Sequence, residues 1–456
     1  MKPNGLFVAV RGFKEDGTRF IDDAIKKGAS AIVSEIPVNA KVPVILVKDS
    51  RRALSALSAE FYGRPSEKMI VIGVTGTNGK TTVSSLLEKV FKDQGYKTGL
   101  IGTVVYKVMD EVLPALHTTP ESVDLQYLFH KMLNKGVNVV IMEVSSHSLV
   151  LKRVEDVEFD AAIFTNLTRD HLDFHKNFSN YFYAKKHLFE LLKKSNKKEK
   201  FGVINIDDPY GRRLVKELKG IKIITYGKSK NSAVKVSNVK LNFGSTTFSW
   251  DGLEVSTSLS GDFNLYNTLA VIVCAEGFRL KRLPLLKSLK EFKPVKGRFE
   301  TIKKTSNDPL IIIDYAHTDD ALKNVLTAIN KLKSSESNII TVFGCGGDRD
   351  KTKRPIMGKI ATELSDKVII TSDNPRTEDP LSIIDDILKG INDKSSVIVE
   401  PDRHKAIRLA VKLAGKKDII LIAGKGHETY QIFKDRTIKF DDSLEAKIAL
   451  RLRKKR

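Results

Sequence analysis

The alternation of apolar and polar positions changes along the chain and divides it into three stretches. In the first stretch, short apolar runs (LFVAV, AIVSE and VPVILV) surround amphipathic segments such as RFIDDAIKKG. A helical segment, SRRALSALSAEFYGRP, follows and ends in linker-like residues 63–66. This order is typical of a small α/β unit. We therefore predict a small N-terminal α/β domain over residues 1–68.

The second stretch, residues 69–298, has longer apolar runs separated by segments with helical periodicity. The runs are MIVIGVT, GLIGTV, VNVVIMEVS, DAAIFTNL and FGVINID. Continuous apolar strands between helices are typical of a mainly parallel sheet covered on both faces. One segment, VKVSNVKLNFGSTTFSWDGLEVSTSL, instead alternates with a period of two and predicts an antiparallel meander.

The third stretch, residues 299–456, returns to the strand–helix rhythm. Its apolar runs are IIIDYA, IITVFG, KVIITSD, SVIVE and DIILIAG. This spacing predicts a doubly wound, Rossmann-like C-terminal domain. The chain as a whole is therefore predicted to be an α/β protein with three domains.

The composition indicates an ordinary globular protein, with 41% hydrophobic and 29% charged residues in a chain of 456. No apolar run approaches the roughly 20 residues that a membrane-spanning helix requires. The first residues, MKPNGLFVAV, have too short an apolar part for an export signal. Cys274 and Cys345 are too few for a disulfide framework, so we expect two reduced, buried thiols. We predict a cytoplasmic enzyme that does not bind membranes.

A formal net charge of +22 raises the possibility of a nucleic-acid partner. The lysines, however, are scattered over predicted helices, as in KELKG and KSLKEFK, with few aromatic residues among them to stack bases. A positive field would equally attract a small polyanionic substrate. We predict no nucleic-acid partner, and a nucleic-acid-stimulated ATPase remains the alternative from a different class.

A glycine-rich turn, GVTGTNGKTT, occupies residues 73–82 and departs from the phosphate-loop pattern G-x-x-x-x-G-K-[ST]. Val74 stands at the position of the first glycine, and the extra glycine is Gly76. The context nevertheless suits a phosphate loop, because a strand precedes it and a helix with an apolar face follows. In such a loop the backbone N–H groups surround phosphates, Lys80 supplies a charge, and the Thr81 hydroxyl can bind Mg²⁺.

Polar residues follow two further predicted strands. VNVVIMEVSSH reaches Glu143 at its end, and DAAIFTNLTRDHLDFH places Asp170 and His171 beyond its strand. The carboxyl ends of parallel strands meet at one edge of a sheet, where ligands bind. Two such ends beside a phosphate loop predict a metal site.

Motifs spread over the whole chain resemble the Mur ligase family of peptidoglycan synthesis. In order they are GTNGKT, MEVSSH, TNLTRDHLDFH, YFYAKKHLF, GDFNLYN, PVKGRFE, DYAHT, GCGGDRDKTKRP, DNPRTEDP and GKGHE. The resemblance implies an ATP-dependent amide ligase with ATP and Mg²⁺ as cofactors and an acyl phosphate intermediate. It also implies an N-terminal uridine-nucleotide domain, a central ATPase domain and a C-terminal amino-acid domain.

The same resemblance implies roles for individual residues at the phosphate and metal site. Glu143, His171 and Thr81 would bind metal, and Lys185 would be carbamoylated to support a second Mg²⁺. From the residues alone, Lys185 could instead be a solvated helix lysine beside Lys186. Lys80, Lys185 and His171 would be catalytic. The nucleotide would be bound by Gly76, Thr77, Asn78, Gly79, Lys80, Thr81, Thr82, Asn264, Asn267, Arg298, Asp314 and His317.

For the substrates, the resemblance implies UDP-N-acetylmuramoyl-L-alanyl-D-glutamate and meso-diaminopimelate. The nucleotide-linked dipeptide would be bound by Thr118, Thr119, Ser145, Arg153 and Lys185. The amino acid would be bound by Arg349, Asp373, Asn374, Pro375, Arg376, Gly424 and Glu428. An arginine fork suits the distal carboxylate that distinguishes diaminopimelate from lysine. L-Lysine as the amino acid remains an alternative, and we expect a monomer.

Three departures from the family pattern affect local contacts. The family usually carries a further N-terminal segment with an Asp-Ser-Arg motif that helps to bind uridine, so either the start of the chain is assigned too late or the uracil pocket is incomplete. Leu151 stands where a substrate-binding glutamine is often found, and Asp319 replaces a proline after DYAHT.

Overall fold

The computed structural model describes residues 3–12 and 15–453. The N-terminal region is a three-stranded parallel sheet with the order β1-β2-β3. Asp49 caps the second helix by accepting a hydrogen bond from the Arg52 amide. The elements are β1 (Gly5–Val8), α1 (Ile21–Lys26), β2 (Ala29–Ser34), β3 (Val44–Leu46) and α2 (Ser50–Phe61), with 3-10 turns at Gly17–Phe20 and Pro65–Lys68.

The central region is built on an eight-stranded sheet with the order β11-β10-β9-β4-β8-β5-β6-β7. Its strands are β4 (Ile70–Thr75), β5 (Thr98–Ile101), β6 (Val105–Val108), β7 (Glu111–Pro114), β8 (Val139–Glu143), β9 (Ala161–Phe164), β10 (Phe201–Asn205) and β11 (Lys222–Tyr226). All pairings are parallel except those that β6 makes with β5 and β7. The sequence did not predict β6 and β7, because these short strands at one end of the sheet have no continuous apolar run.

Helices cover both faces of this sheet. They are α3 (Lys80–Asp93), α4 (Ser122–Asn134), α5 (Ser146–Val150), α6 (Leu172–His175), α7 (Phe178–Lys194), α8 (Pro209–Glu217), α9 (Asp262–Gly277) and α10 (Arg282–Glu291). One face packs against α3, α9 and α10, and the other packs against α4, α7 and α8. The predicted meander forms a separate antiparallel sheet of β12 (Val236–Asn242), β13 (Ser245–Trp250) and β14 (Leu253–Thr257).

The C-terminal region contains a six-stranded sheet with the order β15-β16-β20-β17-β18-β19. Its elements are β15 (Glu300–Ile302), β16 (Leu310–Asp314), α11 (Asp319–Leu332), β17 (Ile339–Phe343), α12 (Lys353–Leu364), β18 (Lys367–Ile370), α13 (Pro380–Leu388), β19 (Val397–Val399), α14 (Arg403–Leu413), β20 (Ile419–Ala423) and α15 (Asp442–Arg453). Helices α11 to α13 cover one face, and α14 and α15 cover the other. An antiparallel hairpin, β21 (Tyr430–Ile432) and β22 (Thr437–Lys439), follows β20.

The predicted fold class, an α/β protein of three domains with a doubly wound C-terminal domain, is confirmed. The domain boundaries after residues 68 and 298 stay predictions. Cys274 and Cys345 are free and buried, as expected. Within the described ranges, every helix is too short or too polar to span a membrane.

Strand β4 lies between β8 and β9 in the central sheet. The phosphate loop that follows β4 is therefore flanked by the two strand ends that the sequence singled out for metal binding. This arrangement positions the site.

Candidate active site

The phosphate loop connects β4 to α3 and requires glycine at two positions. Gly76 and Gly79 have φ angles of +147° and +89°, which L side chains rarely adopt. A methyl group on Gly76 would overlap the Thr165 hydroxyl, and one on Gly79 would overlap the Asn267 side-chain oxygen. Both glycines therefore allow close contact with neighbouring segments. For Gly76, the extra glycine of the pattern, this gives a steric reason for its presence.

The segment after β9 holds the phosphate loop in place. Asn166 accepts hydrogen bonds from the Thr77 amide through its carbonyl and from the Asn78 amide through its side chain, both at 2.9 Å. The Thr165 hydroxyl donates to the Asn78 carbonyl at 2.6 Å. These contacts set the backbone conformation before any ligand binds.

Lys80 folds back onto the loop that precedes it. Its ammonium donates to the carbonyls of Gly76 at 3.0 Å and Thr77 at 2.9 Å. Burial lowers the pKa of Lys80, and the charges of Glu143 and Asp170 oppose that effect. Among the described residues, Lys80 makes no ion pair with a carboxylate, so its charge remains available to an anionic ligand.

Glu143 ends β8 and is fully buried. Its two carboxylate oxygens accept hydrogen bonds from the Thr103 amide and the Thr103 hydroxyl, both at 2.9 Å. Thr103 therefore orients the predicted metal ligand, and sequence reasoning missed it. The available signal was its place just after β5, which pairs with β8. The run GLIGTV was interpreted as strand throughout, whereas β5 ends at Ile101.

His171 follows β9 in a left-handed conformation with φ of +52°. Asp170 accepts a hydrogen bond from the His171 amide at 2.8 Å and contacts its ring nitrogen at 3.2 Å. Burial lowers the pKa of His171, although the charge of Asp170 opposes this. The neutral imidazole is the form that can bind a metal. The His147 ring lies against it, with centroids 4.7 Å apart.

Lys185 projects from α7 into the interior behind the loop. It is 1% exposed, donates to the Gly76 carbonyl at 2.7 Å and lies 4.5 Å from the centre of the Tyr181 ring. Burial and the charge of Lys80 lower the pKa of Lys185 well below its ordinary value. The neighbouring Lys186 instead pairs with Glu217 at 2.9 Å. The alternative of a solvated lysine is therefore wrong for Lys185.

A cavity of about 600 Å³ opens over the phosphate loop between the central and C-terminal regions. It brings together most of the predicted nucleotide and metal residues. Lys185, Gly76, Thr119 and Arg153 are outside its lining. The predicted residues that line the cavity are Thr77, Asn78, Gly79, Lys80, Thr81, Thr82, Thr118, Glu143, Ser145, His171, Asn264, Asn267, Arg298, Asp314 and His317.

Mg²⁺ binds mainly to oxygen donors in proteins. Thr81 and Glu143 offer oxygen atoms, and His171 offers a ring nitrogen, from the same cavity wall. In the part of the chain that the structure describes, three or more His, Cys, Asp or Glu side chains do not come together as a metal cluster. The oxygen donors of Thr81 and Glu143 fit Mg²⁺.

Arg298 connects the loop to the C-terminal region. Its guanidinium donates to the Thr81 hydroxyl at 3.2 Å and stacks over the Tyr315 ring at 4.5 Å. Asp314, at the end of β16, accepts the Phe299 amide at 2.7 Å, and burial raises the pKa of Asp314 to about 6. The predicted nucleotide residues of the two regions thus meet at one place.

Sequence reasoning missed several acidic and aromatic residues of this cavity. Asp207 follows β10 and accepts a hydrogen bond from the Tyr266 hydroxyl at 2.8 Å, and Asp320 at the start of α11 accepts one from the Asn78 side-chain NH₂ group at 2.9 Å. The signal for Asp207 was the strand end NIDDPYG, which has the same position in the sheet edge as the two that were recognised. The missed lining residues include Asp207, Asp208, Asp262, Tyr266 and Asp320.

The residues predicted to bind the dipeptide form one hydrogen-bonded group beside Glu143. The Thr119 hydroxyl donates to the Glu143 carbonyl at 2.8 Å and accepts from the Ser145 amide at 3.2 Å. Arg153 donates to the Thr119 carbonyl at 3.0 Å. Thr118 lies 3.1 Å from the Thr103 hydroxyl. This group therefore continues the hydrogen-bonded network around Glu143 and Thr103.

The residues predicted to bind the amino acid form a second cluster, which we call the amino-acid cluster: Arg349, Asp373, Asn374, Pro375, Arg376, Gly424 and Glu428. A methyl group on Gly346 would lie 2.8 Å from Nη1 of Arg376 and 3.9 Å from Cγ of Arg349, so both arginine side chains meet there. Arg376 donates to the Gly347 carbonyl at 2.7 Å, and Arg349 donates to the Asp348 carbonyl at 3.1 Å. Neither guanidinium forms an ion pair with a carboxylate of the described residues.

The remaining members of the amino-acid cluster pack around Asn374. The Asn374 amide donates to Glu428 at 2.8 Å. Gly424 has a φ of +114°, and a methyl group there would lie 2.5 Å from the Asp373 carboxylate. The Pro375 carbonyl accepts from the Glu378 amide at 3.1 Å, which turns the chain at DNPR.

The amino-acid cluster lies outside the lining of the nucleotide cavity but is joined to it through one aromatic residue. Tyr315 lines the cavity, and its ring lies 5.0 Å from that of His427, the neighbour of Glu428. The backbone at Gly426 packs so closely against Tyr315 that a methyl group would lie 2.7 Å from its Cβ. The nucleotide cavity and the amino-acid cluster are therefore adjacent.

Comparison with known proteins relates nearly the whole chain to the Mur ligase family. Sequence models of the Mur ligase family, catalytic domain, of the Mur ligase middle domain, and of the Mur ligase, glutamate ligase domain match residues 1–62, 74–275 and 297–426. A relative from Clostridium perfringens named UDP-N-acetylmuramoyl-L-alanyl-D-glutamate–2,6-diaminopimelate ligase is 46% identical over 446 residues, which are 96% of this chain and 90% of the relative.

Solved structures of ligases also match nearly the whole chain. A structure of UDP-N-acetylmuramoyl-L-alanyl-D-glutamate–2,6-diaminopimelate ligase matches with a TM-score of 0.70 and 31% identity, over 99% of this chain and 93% of that one. A MurF ligase from Thermotoga maritima in complex with ADP has a TM-score of 0.67 at 20% identity, over 100% and 96%, and is similar in fold. The enzyme class expected from the sequence, an ATP-dependent amide ligase, is confirmed, and the chain belongs to the Mur ligase family.

Proposed function

We propose that this enzyme joins meso-diaminopimelate to UDP-N-acetylmuramoyl-L-alanyl-D-glutamate in the synthesis of peptidoglycan precursors in the cytoplasm. The observation that carries the proposal is the amino-acid cluster next to the nucleotide cavity. It offers two arginines without carboxylate partners among the described residues and a carboxylate, Glu428, for an ammonium. The names of the relatives agree with this substrate pair.

The first step energises the carboxylate of the dipeptide. That carboxylate attacks the γ-phosphorus of ATP, the bond to the bridging oxygen breaks, and ADP leaves, so an acyl phosphate forms. The barrier is mainly one of positioning and charge neutralisation. Lys80 and the loop amides would hold the phosphates, since these groups already face the cavity.

Magnesium would be held by Thr81, Glu143 and His171, with a carbamoylated Lys185 supporting a second ion, and it would neutralise the developing phosphate charge. The low pKa of Lys185 supports the carbamate, because only the uncharged amine attacks carbon dioxide. Thr103 would keep Glu143 oriented through its two hydrogen bonds.

The second step forms the amide bond. The amine of the bound amino acid attacks the acyl carbon, inorganic phosphate leaves, and the nitrogen loses a proton to solvent. In the amino-acid cluster, Arg376 and Arg349 would bind the distal carboxylate, and Glu428 would bind the distal ammonium. Lysine lacks that carboxylate and would leave the arginines unpaired, which can disfavour it by roughly 10⁴-fold.

The proposal includes the organisation of the chain. Residues 1–68 would bind the uridine nucleotide, residues 69–298 would bind ATP, and residues 299–456 would deliver the amino acid to the acyl phosphate. We further propose that the enzyme acts as a monomer without nucleic-acid or membrane partners.

The test is a phosphate-release assay with purified enzyme, ATP, Mg²⁺ and the UDP-linked dipeptide. We expect rapid release with diaminopimelate, little with L-lysine, and a product whose mass equals that of the UDP-linked tripeptide. Equal rates with and without the dipeptide would contradict the proposal. Equal use of lysine would favour the lysine ligase, and stimulation by DNA or RNA would favour the nucleic-acid-stimulated ATPase.

A further inference from the structure

Lys425 is a buried lysine that contacts the amino-acid cluster and has no role in the proposed mechanism. It follows β20 in the segment GKGHE, and its side chain is 0% exposed. Its ammonium donates to the Asn374 side-chain oxygen and to Glu428, both at 3.0 Å, and lies 5.6 Å from the centre of the Tyr430 ring. A fully buried cation is costly unless it is paired, so these contacts require an explanation.

The first consequence of Lys425 is the orientation of Asn374. The Asn374 side-chain oxygen accepts from both Lys425 and the Ile432 amide, at 3.0 Å each. A flipped amide would turn its NH₂ group towards two other donors, which is unfavourable. The NH₂ group must therefore face Glu428, to which it donates at 2.8 Å.

The second consequence is the orientation of Glu428. Asn374 and Lys425 donate to the same oxygen, Oε2. The Oε1 atom makes no hydrogen bond with any of the described residues. The carboxylate is thus held at one oxygen and can accept an ammonium with the other.

The third consequence concerns the charge of the amino-acid cluster. Lys425 contributes one of three positive charges here, with Arg349 and Arg376, beside the negative charges of Asp373, Glu428 and Asp348, the last of which interacts with Arg376. The distal end of diaminopimelate carries one ammonium and one carboxylate and adds no net charge. The distal end of lysine adds an uncompensated positive charge at Glu428, 3.0 Å from which the Lys425 ammonium already lies, and this opposes its binding.

We propose that Lys425 is a positioning and specificity-determining residue for the amino-acid substrate. It fixes Asn374 and Glu428 in the orientation that receives the distal ammonium, and its charge disfavours a substrate without a distal carboxylate. This inference rests on the proposed function, because it assigns the cluster to diaminopimelate.

The experiment compares Lys425→Gln, which removes the charge but keeps a donor, with Lys425→Arg, which keeps the charge. Lys434→Gln, an exposed lysine of the β21–β22 hairpin, is the matched control. For each enzyme, kcat and KM are measured with diaminopimelate and with L-lysine at saturating ATP and UDP-linked dipeptide. The midpoint of thermal unfolding and the affinity for ATP are measured alongside.

In Lys425→Gln we expect KM for diaminopimelate to rise roughly 10-fold, because a charged hydrogen-bond network is lost. We expect kcat to change less than about 3-fold and the kcat/KM preference for diaminopimelate over lysine to fall roughly 10-fold. Lys425→Arg should keep that preference within about 3-fold. Lys425→Gln combined with Glu428→Gln should lose little more than Glu428→Gln alone, since the residues act as a unit.

An unchanged preference in Lys425→Gln would overturn the inference, as would equal losses with both amino acids, which a purely structural role predicts. If Lys425→Gln does not fold, Lys425→Arg decides the matter, because loss of the preference there would also overturn it. A wild-type enzyme that neither binds nor uses diaminopimelate would overturn the proposed function itself. A wild-type enzyme that uses it, with variants that keep its preference, would overturn only the role of Lys425.

Discussion

The buried lysines of the phosphate site and of the amino-acid region are held in opposite ways. In the phosphate site, Lys80 and Lys185 donate to backbone carbonyls, and burial lowers the pKa of both. In the amino-acid cluster, Lys425 pairs with Glu428, and the adjacent buried Arg403 pairs with Asp442 at 2.8 Å.

The difference follows from the charges of the two ligands. A triphosphate brings only negative charge, so a site that binds it must keep its cations free of carboxylates. A diamino dicarboxylate brings both signs, so its site requires both signs at defined positions. Charge supplies the attraction in the first site, whereas the pattern of charges supplies selectivity in the second.

The largest expected effect is at the phosphate site. Lys80→Met should reduce ATP-dependent turnover by about 10³-fold, because a preorganised charge at the transferring phosphate is lost. The measurement is phosphate release with all substrates present. Lys92→Met is the matched control, since Lys92 lies on the same helix, is half exposed and pairs with Asp110. A loss of less than about 10-fold in Lys80→Met would contradict the role assigned to this lysine.

The next effect concerns the lysine behind the loop. Lys185→Ala should lose at least about 10²-fold in activity, because the anion that would support a second metal is absent. A short-chain carboxylate added to the assay should restore part of the activity by occupying the vacated space. Lys186→Ala, whose partner is Glu217 at the surface, should remain active and gain nothing from the carboxylate. Full activity of Lys185→Ala would remove the carbamate from the mechanism.

A smaller and more selective effect is expected in the amino-acid cluster. Arg376→Lys should lower kcat/KM for diaminopimelate by roughly 10²-fold, because lysine cannot replace the bidentate fork. The affinity for ATP, measured by titration, should be unchanged. Arg436→Lys in the neighbouring hairpin, an exposed residue paired with Asp435, is the control. Equal loss of ATP affinity in Arg376→Lys would show that the two sites are not separate.

The smallest effect is on stability in acid. Hydrogen bonds from Arg354 lower the pKa of Glu378 to about 2 from an ordinary value of 4.5. A carboxyl group whose pKa is lower in the folded state stabilises the fold above pH 4.5, and this contribution is lost as the pH falls towards 2. We expect about 2 kcal/mol of unfolding free energy to be lost over that range, allowing for partial solvent screening.

Glu378→Gln should lack this component of the acid dependence, as measured by denaturant unfolding at each pH. Glu363→Gln, which removes a largely exposed carboxylate paired with Lys359, should behave as the wild type does. An identical acid dependence in Glu378→Gln and the wild type would show that the Arg354–Glu378 pair does not contribute to stability against acid.

Much of the phosphate site was predictable because its signals are local. The apolar face of α3 follows from helical periodicity, and Val83, Leu86 and Phe91 are indeed fully buried. The strand ends at Glu143 and His171 were correctly placed beside the loop, since parallel strands share one carboxyl edge. Thr103 was missed because the run GLIGTV was interpreted as strand throughout, and only the pairing of β5 with β8 brings it to Glu143.

The sequence by itself determined the order of strands and helices, the phosphate loop and its flanking strand ends, because backbone periodicity and glycine-rich turns act over a few residues. Only the tertiary structure decided which lysines are buried and what they contact. Lys185 meets the Gly76 carbonyl across 109 positions of the chain, and Lys425 meets Asn374 across 51. Burial and charge pairing depend on such distant contacts, and they determine whether a lysine is a solvated surface group or part of a site.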